Sequence, residues 1–369
     1  MKKLAIIICL FEFISSGVKA QDPTFSQFNF NPLYFNPAFT GIDPGLRINS
    51  TYRSLWSSIP SSFRTYSIAA DMQSLCLSSG QGIVVMKDIE GEGGMKTTKA
   101  GAFYSYRIVL LPEDAILQAG VEMDYVQKSI DWDKLVFSDQ IDSLTPVIIP
   151  TQNVPPNQEF SSYPDFHFGL VGRFNLHKKR SREFSTLTLG FAIHHLTTPD
   201  ESIFGVSSPL PQKLTVNGSW AFNIDNRSKH RNYPMLFGPT FLWEMQDVTR
   251  SYAPNFNRPF KTFNIGLAFS SLPLYASVYY RNMTPLFLDL EHSDAIILQL
   301  AFNGKATDEF NYRIGYSYDV TLSELKDVSG GSHEISIQIT FPNANLICKA
   351  VGRADDIYTN KRKQDCYTF

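Results

Sequence analysis

Ser332-His333-Glu334-Ile335-Ser336-Ile337-Gln338-Ile339-Thr340-Phe341 is the stretch on which the fold turns. Successive side chains of an extended chain point to opposite faces. Ile335, Ile337, Ile339 and Phe341 therefore share one face, and Glu334, Ser336, Gln338 and Thr340 share the other. A run of about ten residues is what a tilted strand needs to cross hydrocarbon. A secreted β-sandwich or propeller also alternates, but its apolar face is a core and its other face is solvated and charged. Here the apolar face is Tyr, Phe, Ile and Leu, and the opposite face is Ser, Thr, Gly, Gln and a few charges. That division suits lipid outside and a polar lumen inside.

Working outward, the pattern recurs. Phe310, Tyr312, Ile314, Tyr316 and Tyr318 oppose Asn311, Arg313, Gly315, Ser317 and Asp319; Leu187, Leu189, Phe191 and Ile193 oppose Thr186, Thr188, Gly190 and Ala192. Ala102, Tyr104, Tyr106 and Ile108 oppose Gly101, Phe103, Ser105 and Arg107. About fourteen such runs are predicted, an even number as closed bacterial barrels use. They lie near 46–54, 63–73, 81–88, 99–110, 114–127, 165–175, 185–196, 213–224, 234–245, 262–270, 273–282, 294–303, 309–320 and 333–341. No helical periodicity is evident after residue 20. Short connections alternate with longer ones, the longest being Lys128 to Pro164. Outer-membrane barrels have short periplasmic turns and long extracellular loops, which places both termini in the periplasm.

Composition points the same way. Aromatic residues make up 14% and charged residues 18%, against about 25% charged in ordinary soluble domains. A net charge of −2 offers no basic excess for nucleic acid. Lys2 and Lys3, an apolar run from Leu4 to Phe13, and Val18-Lys19-Ala20 read as a secretory signal peptide. The expected organisation is a signal peptide at 1–20, an aromatic Asn-Pro segment at 21–45, an all-β transmembrane outer-membrane β-barrel at 46–341, and a periplasmic tail at 342–369. Cys76, Cys348 and Cys366 remain after cleavage. Cys348 and Cys366 are expected to pair in an oxidising compartment, since both lie in the tail.

Chemistry-bearing motifs are sparse. His194-His195 and His333-Glu334 lie in no nucleophile-elbow motif. On a regular strand His194 and His195 point to opposite faces and cannot share a metal. Asp131-Trp132-Asp133 holds two carboxylates on one side if extended, too few oxygens for a calcium cage. Gly91-Glu92-Gly93-Gly94 lacks the Lys-Ser/Thr of a phosphate loop. No catalytic residue, metal or cofactor is expected. Arg107, Glu122, Asp124, Asp165, Arg173, Arg313, Asp319 and Glu334 fall on lumen-facing phases, where they either pair across a filled lumen or line a watery channel; pairing is the favoured expectation. The basic stretches His177-Lys178-Lys179-Arg180-Ser181-Arg182 and Lys361-Arg362-Lys363 read as solvated segments or as docking sites for an acidic periplasmic partner.

The segment after the signal reads Gln21-Asp22-Pro23-Thr24-Phe25-Ser26-Gln27-Phe28, then Asn31-Pro32-Leu33-Tyr34-Phe35-Asn36-Pro37-Ala38-Phe39-Thr40-Gly41. Asn-Pro pairs forbid regular strand pairing, while Phe28, Phe30, Tyr34, Phe35 and Phe39 call for burial. The segment is either a plug in the barrel mouth or a periplasmic strap. Together with Tyr52-Arg53-Ser54-Leu55-Trp56, Gly315-Tyr316-Ser317-Tyr318-Asp319-Val320-Thr321 and Gly330-Gly331-Ser332-His333-Glu334-Ile335, it resembles the PorP/SprF family of type IX secretion and gliding-motility outer-membrane proteins. The resemblance implies a non-enzymatic role in export or surface attachment of secreted proteins, adhesins among them, through their C-terminal sorting domains. It also implies contact with the periplasmic ring or with peptidoglycan-associated lipoproteins. Asn31, Pro32, Asn36, Pro37, Gly41, Tyr318, Asp319, Ser332, His333 and Glu334 are the motif positions that become candidate partner contacts. The tail, ending Cys366-Tyr367-Thr368-Phe369, departs from the Cys-Pro ending of many relatives. The alternative expectation is a passive porin or transporter for small solutes.

Overall fold

The computed structural model describes residues 22–344 except 60–61, 75–76, 92–93, 113, 141–150, 152–159, 178–183, 204, 206, 225–234, 247–259, 283–292, 306–309 and 324–325. The signal peptide, Cys76, Cys348, Cys366 and both basic stretches beyond His177 lie outside the described residues. Fourteen antiparallel strands close on themselves: β1 (Leu46–Leu55), β2 (Phe63–Ser74), β3 (Ser79–Glu90), β4 (Met95–Leu111), β5 (Ala115–Ser129), β6 (Phe160–His177) and β7 (Phe184–His194) form one half. The other half is β8 (Lys213–Asn223), β9 (Leu236–Gln246), β10 (Phe260–Ser271), β11 (Leu274–Asn282), β12 (Ser293–Lys305), β13 (Asn311–Thr321) and β14 (Ser332–Phe341). Every run predicted from alternation is a strand, with boundaries displaced by a few residues.

Closure between β1 and β14 sets Arg53 directly opposite Glu334 and Tyr52 opposite Ile335. Such closure leaves no sheet edge, so the ladder satisfies the backbone polar groups that lipid cannot. No helix among the described residues is long and apolar enough to cross a membrane; the strands do so. On β5, Val121, Met123 and Tyr125 are about half exposed, while Glu122 and Asp124 between them are buried. Ile83, Val85, Tyr104, Tyr106, Val278, Leu298, Leu300, Ile335 and Ile337 continue the apolar outer belt around the barrel. The protein is therefore an outer-membrane β-barrel.

The compact apolar core sits inside this polar wall, and residues 22–45 supply much of it. Phe25, Phe28, Phe30, Leu33, Phe35, Ala38 and Ile42 are all buried. Phe28 stacks at a tilt on Tyr279 with centroids 4.9 Å apart, and Leu33 packs with Ala69, Val84 and Phe103 of the wall. Burying one such Phe or Leu contributes about 1.5–3 kcal/mol. Pro32–Phe35 makes one helical turn and Pro37–Phe39 a tighter one, each with Pro at its start. Both prolines exploit positions where a missing N–H costs nothing. These turns are too short for a helical period to show in the sequence.

Candidate functional site

The shortest connection, Leu272-Pro273, follows β10, and the longest, residues 130–159, follows β5. Even-numbered strands therefore end in the periplasm and odd-numbered strands end outside. The N-terminal segment runs down the lumen between these ends. Asp22 meets His195, just beyond the outer end of β7, and Lys213, at the outer start of β8. Gly41 and Ile42 meet Asp71 and Arg107, near the periplasmic ends of β2 and β4. This corrects the expectation that both termini fall in the periplasm: the chain at Asp22 lies at the extracellular end. The loop-length rule places strand ends but carries no information on a segment that threads the lumen before the first strand.

Three anchors hold this plug. The upper one is Asp22, with His195 Nε2 at 2.9 Å and Lys213 Nζ at 3.1 Å. Burial presses the Asp22 carboxyl upward, but these two cations outweigh it and hold it well below the usual range. Lys213 also reaches Glu244 at 3.3 Å and lies over the Tyr34 ring, whose hydroxyl donates to the Pro23 carbonyl.

The middle anchor in chain order, near the outer ends of β1, β11, β13 and β14, is a buried four-charge cluster. Ser26 N–H donates to Glu334 at 2.7 Å, Gln27 N–H to the same carboxylate at 3.1 Å, and Ser26 Oγ to Asp319 at 2.6 Å. Arg53 bridges Glu334 at 2.9 Å and Asp319 at 3.0 Å, while Arg281 reaches Asp319 at 3.1 Å. Two acids and two guanidiniums balance, which lets all four lie buried. Asn29 adds bonds to the Tyr275 and Tyr279 hydroxyls at 2.8 and 3.0 Å.

The lower anchor grips backbone. Arg107 donates to the Gly41 and Ile42 carbonyls at 2.9 and 2.8 Å, and the Thr40 carbonyl accepts from Ser105 and Gln118. Gly41, at φ 60°, donates its N–H to Asp71 at 2.7 Å. Arg47 joins Asp71 to Asp43, and Arg173 lies 3.6 Å from Asp43. Burial presses the Asp43 carboxyl upward, yet Arg47 and Arg173 prevail and keep it below its ordinary value. Asn36 caps the second turn through the Ala38 N–H and donates to the Leu170 and Phe191 carbonyls of the wall.

The sequence-predicted residues divide accordingly. Asp319 and Glu334 meet in the middle anchor, Arg107 and Arg173 serve the lower one, and Glu122, Asp124 and Asp165 line the lumen beneath the upper one. Arg313 bonds Asn303 at 2.6 Å and lies over the Phe30 and Tyr275 rings. Asn31 and Asn36 are buried in the plug, and Pro32 and Pro37 start its turns. Ser332 is buried, but Tyr318 and His333 pack on each other near the outer rim with centroids 4.9 Å apart. Arg53, Arg281, Ser26 and Gln27 complete the anchors. Arg53 lies on the lumen phase of β1, and its role becomes visible only when β1 is paired with β14. Asp131 does not stand in an extended acidic pair: Trp132–Lys134 is a 3-10 turn, and Asp131 meets Lys96 and Lys134.

The reading of His194 and His195 as opposed is also corrected. Strand β7 ends at His194, and His195 adopts φ 57°, which swings its ring back inside. Both are buried beside His167, with ring centroids 5.1 and 5.2 Å from it. Two sets could hold a metal: Glu122, His167 and His194, and Asp165, His167 and His195, each with ligand atoms within 4.8 Å of one another. Burial lowers the His195 pKa, but Asp22 and Asp165 overcome it and raise the group to about 9. Two small cavities lie beside the plug among the described residues. One cavity of about 80 Å³ lies between Phe28, Phe35 and Ile42 and the β7–β9 wall; another of about 60 Å³ lies by the histidines.

Known proteins with this architecture are distant. The CymD monoaromatic hydrocarbon channel is 11% identical, with a TM-score of 0.43, over 89% of this chain and 96% of its own. The toluene transporter TbuX of Ralstonia pickettii is 10% identical, with a TM-score of 0.46, over 85% and 94%. The translocator domain of the autotransporter NalP from Neisseria meningitidis is 9% identical, with a TM-score of 0.33, over 92% and 95%. No curated protein sequence matches the chain. The family described as Type IX secretion system membrane protein PorP/SprF matches residues 17–339.

Proposed function

The chain belongs to the PorP/SprF family of type IX secretion system membrane proteins, and from that membership we propose that it acts as a closed outer-membrane scaffold. In this role it assists export or surface attachment of a secreted protein through that protein's C-terminal sorting domain. It also links this client to the periplasmic ring or to peptidoglycan-associated lipoproteins. The supporting observation is the plug. A solute channel needs its polar wall free to face water, whereas here the wall charges engage Asp22, Ser26, Gln27, Gly41 and Asp43. The lumen thus serves to hold a structural segment, leaving the rims for protein contacts.

Affinity capture of the tagged protein from native envelopes, read by mass spectrometry, tests this reading. A large secreted protein with a sorting domain, or periplasmic ring components, is expected to co-purify. Recovery of the barrel alone across several detergents, with steady conductance of the purified protein in planar bilayers, would replace the scaffold with the passive-transporter alternative.

A further inference from the structure

Three of the chain's 7 histidines converge at the extracellular end of the lumen, and the plug engages one ring nitrogen each of His195 and His194, through Asp22 and the Phe35 carbonyl. We propose that Asp165, His167 and His195 bind one divalent transition-metal ion, zinc being the ion that fits, with Asp22 and Asp124 as outer carboxylates. Their ligand atoms lie within 4.8 Å of one another, and all three residues are buried. Two imidazoles and a carboxylate form a donor set typical of zinc. Three protein ligands leave a fourth position for water, and the adjoining cavity of about 60 Å³ has room for it.

The orientation of the rings is as specific as their closeness. Metal-binding histidines usually turn their second ring nitrogen to a carboxylate, which fixes tautomer and direction. His195 presents Nε2 to Asp22 at 2.9 Å, and His167 presents Nε2 to Asp124 at 2.8 Å. On His195 Nδ1 is then the coordinating atom; on His167 the nitrogen that faces the shared site is Nε2, which also lies 3.6 Å from Asp165 Oδ2. His195 Nδ1 already stands 2.5 Å from Asp165 Oδ2, a contact that holds a proton in the metal-free protein. His167 Nδ1 accepts the His195 amide N–H at 3.2 Å, which fixes the direction of its ring. Zinc takes the place of the shared proton, which leaves to solvent.

The backbone supplies an independent sign. His195 is a non-glycine residue at φ 57°, a conformation that persists only where surrounding structure over-determines it. An extended continuation of β7 would send its ring to the lipid side; the left-handed turn brings it to Asp165. The neighbouring set of Glu122, His167 and His194 suits a metal less well. The Lys99 ammonium already occupies it, 2.8 Å from Glu122 and 2.5 Å from Asp124, and His194 Nε2 is engaged by the Phe35 carbonyl at 3.2 Å.

Calorimetric titration of the chelator-stripped, full-length protein in detergent with zinc chloride is the experiment. One equivalent is expected to bind. H167A and H195A are expected to weaken it by well over about a hundredfold and D22N by about tenfold, whereas H333A, on the outer rim, leaves it unchanged. Compact migration of unheated samples in electrophoresis establishes that each variant retains its barrel. X-ray absorption at the zinc edge of the loaded wild-type protein requires no variant, and two imidazole nitrogens are expected in the first shell. Absence of stoichiometric binding, binding that survives in the folded H167A/H195A double variant, or a zinc shell without imidazole each overturns the site.

Discussion

Arg53 stands where three partners converge: Glu334 across the closing seam, Asp319 one strand further on, and the Ser26 hydroxyl of the plug. With 2% exposure it has no water to fall back on. Arg53→Ala takes the guanidinium from buried Glu334 and leaves Asp319 with Arg281, and it is expected to lower stability by about 3–5 kcal/mol, measured as denaturant unfolding in detergent. Glu334→Gln keeps an acceptor for Ser26 but removes one charge, and a loss of about 1–3 kcal/mol is expected in the same assay. Asp43 behaves differently because it is partly exposed and titrates. Its folded pKa lies below its unfolded value, so its contribution is present above about pH 4 and is lost as pH falls through the folded value. Protease access to the plug should accordingly stay low through mild acid and rise only below the ordinary carboxylate range. In Asp43→Asn that acid step should shrink; an unchanged acid profile in this variant would assign the step to other groups.

At the scale of elements, plug and wall fit by mutual subtraction. Wall glycines lie where plug backbone passes: a Cβ on Gly120 would meet the Pro37 carbonyl oxygen at 2.4 Å, and one on Gly169 would meet the Asn36 side chain at 2.0 Å. Gly120→Val is therefore expected to loosen the plug without preventing barrel closure, seen as bilayer conductance absent from the parent protein. Precise deletion of residues 22–40 should give a larger and steadier conductance, and a deletion variant that stays silent would show that other segments seal the lumen. The strands were legible because one side of each faces lipid and the other does not; even β3, β9 and β11, with short or mixed runs, obey that rule. The plug's aromatics announced that they needed burial, but its path did not follow from them. Turns of three or four residues show no period, and the anchors Arg53 and Arg281 acquire meaning only through strand neighbours that sequence order does not place side by side. The fold of His195 into the lumen was hidden for a related reason, since alternation assumes a strand that has in fact ended at His194.

For the whole molecule, the polar wall and apolar filling reverse the usual order of a soluble domain, and each half depends on the other. The wall of β4, β5 and β6 is the tallest, with 17, 15 and 18 residues, and it contacts the second turn of the plug. Hydrogen exchange in detergent should show residues 25–42 protected nearly as well as the central strand residues, while a plug that merely rests in the mouth would exchange within the fastest class. The bond from Ser26 to Glu334 joins positions 308 residues apart. A chain made and exported from its N-terminus presents its Phe-rich segment first, yet two of that segment's anchors, Asp319 and Glu334, arrive on the last two strands. The plug's full set of bonds therefore forms only once the last two strands have joined the barrel.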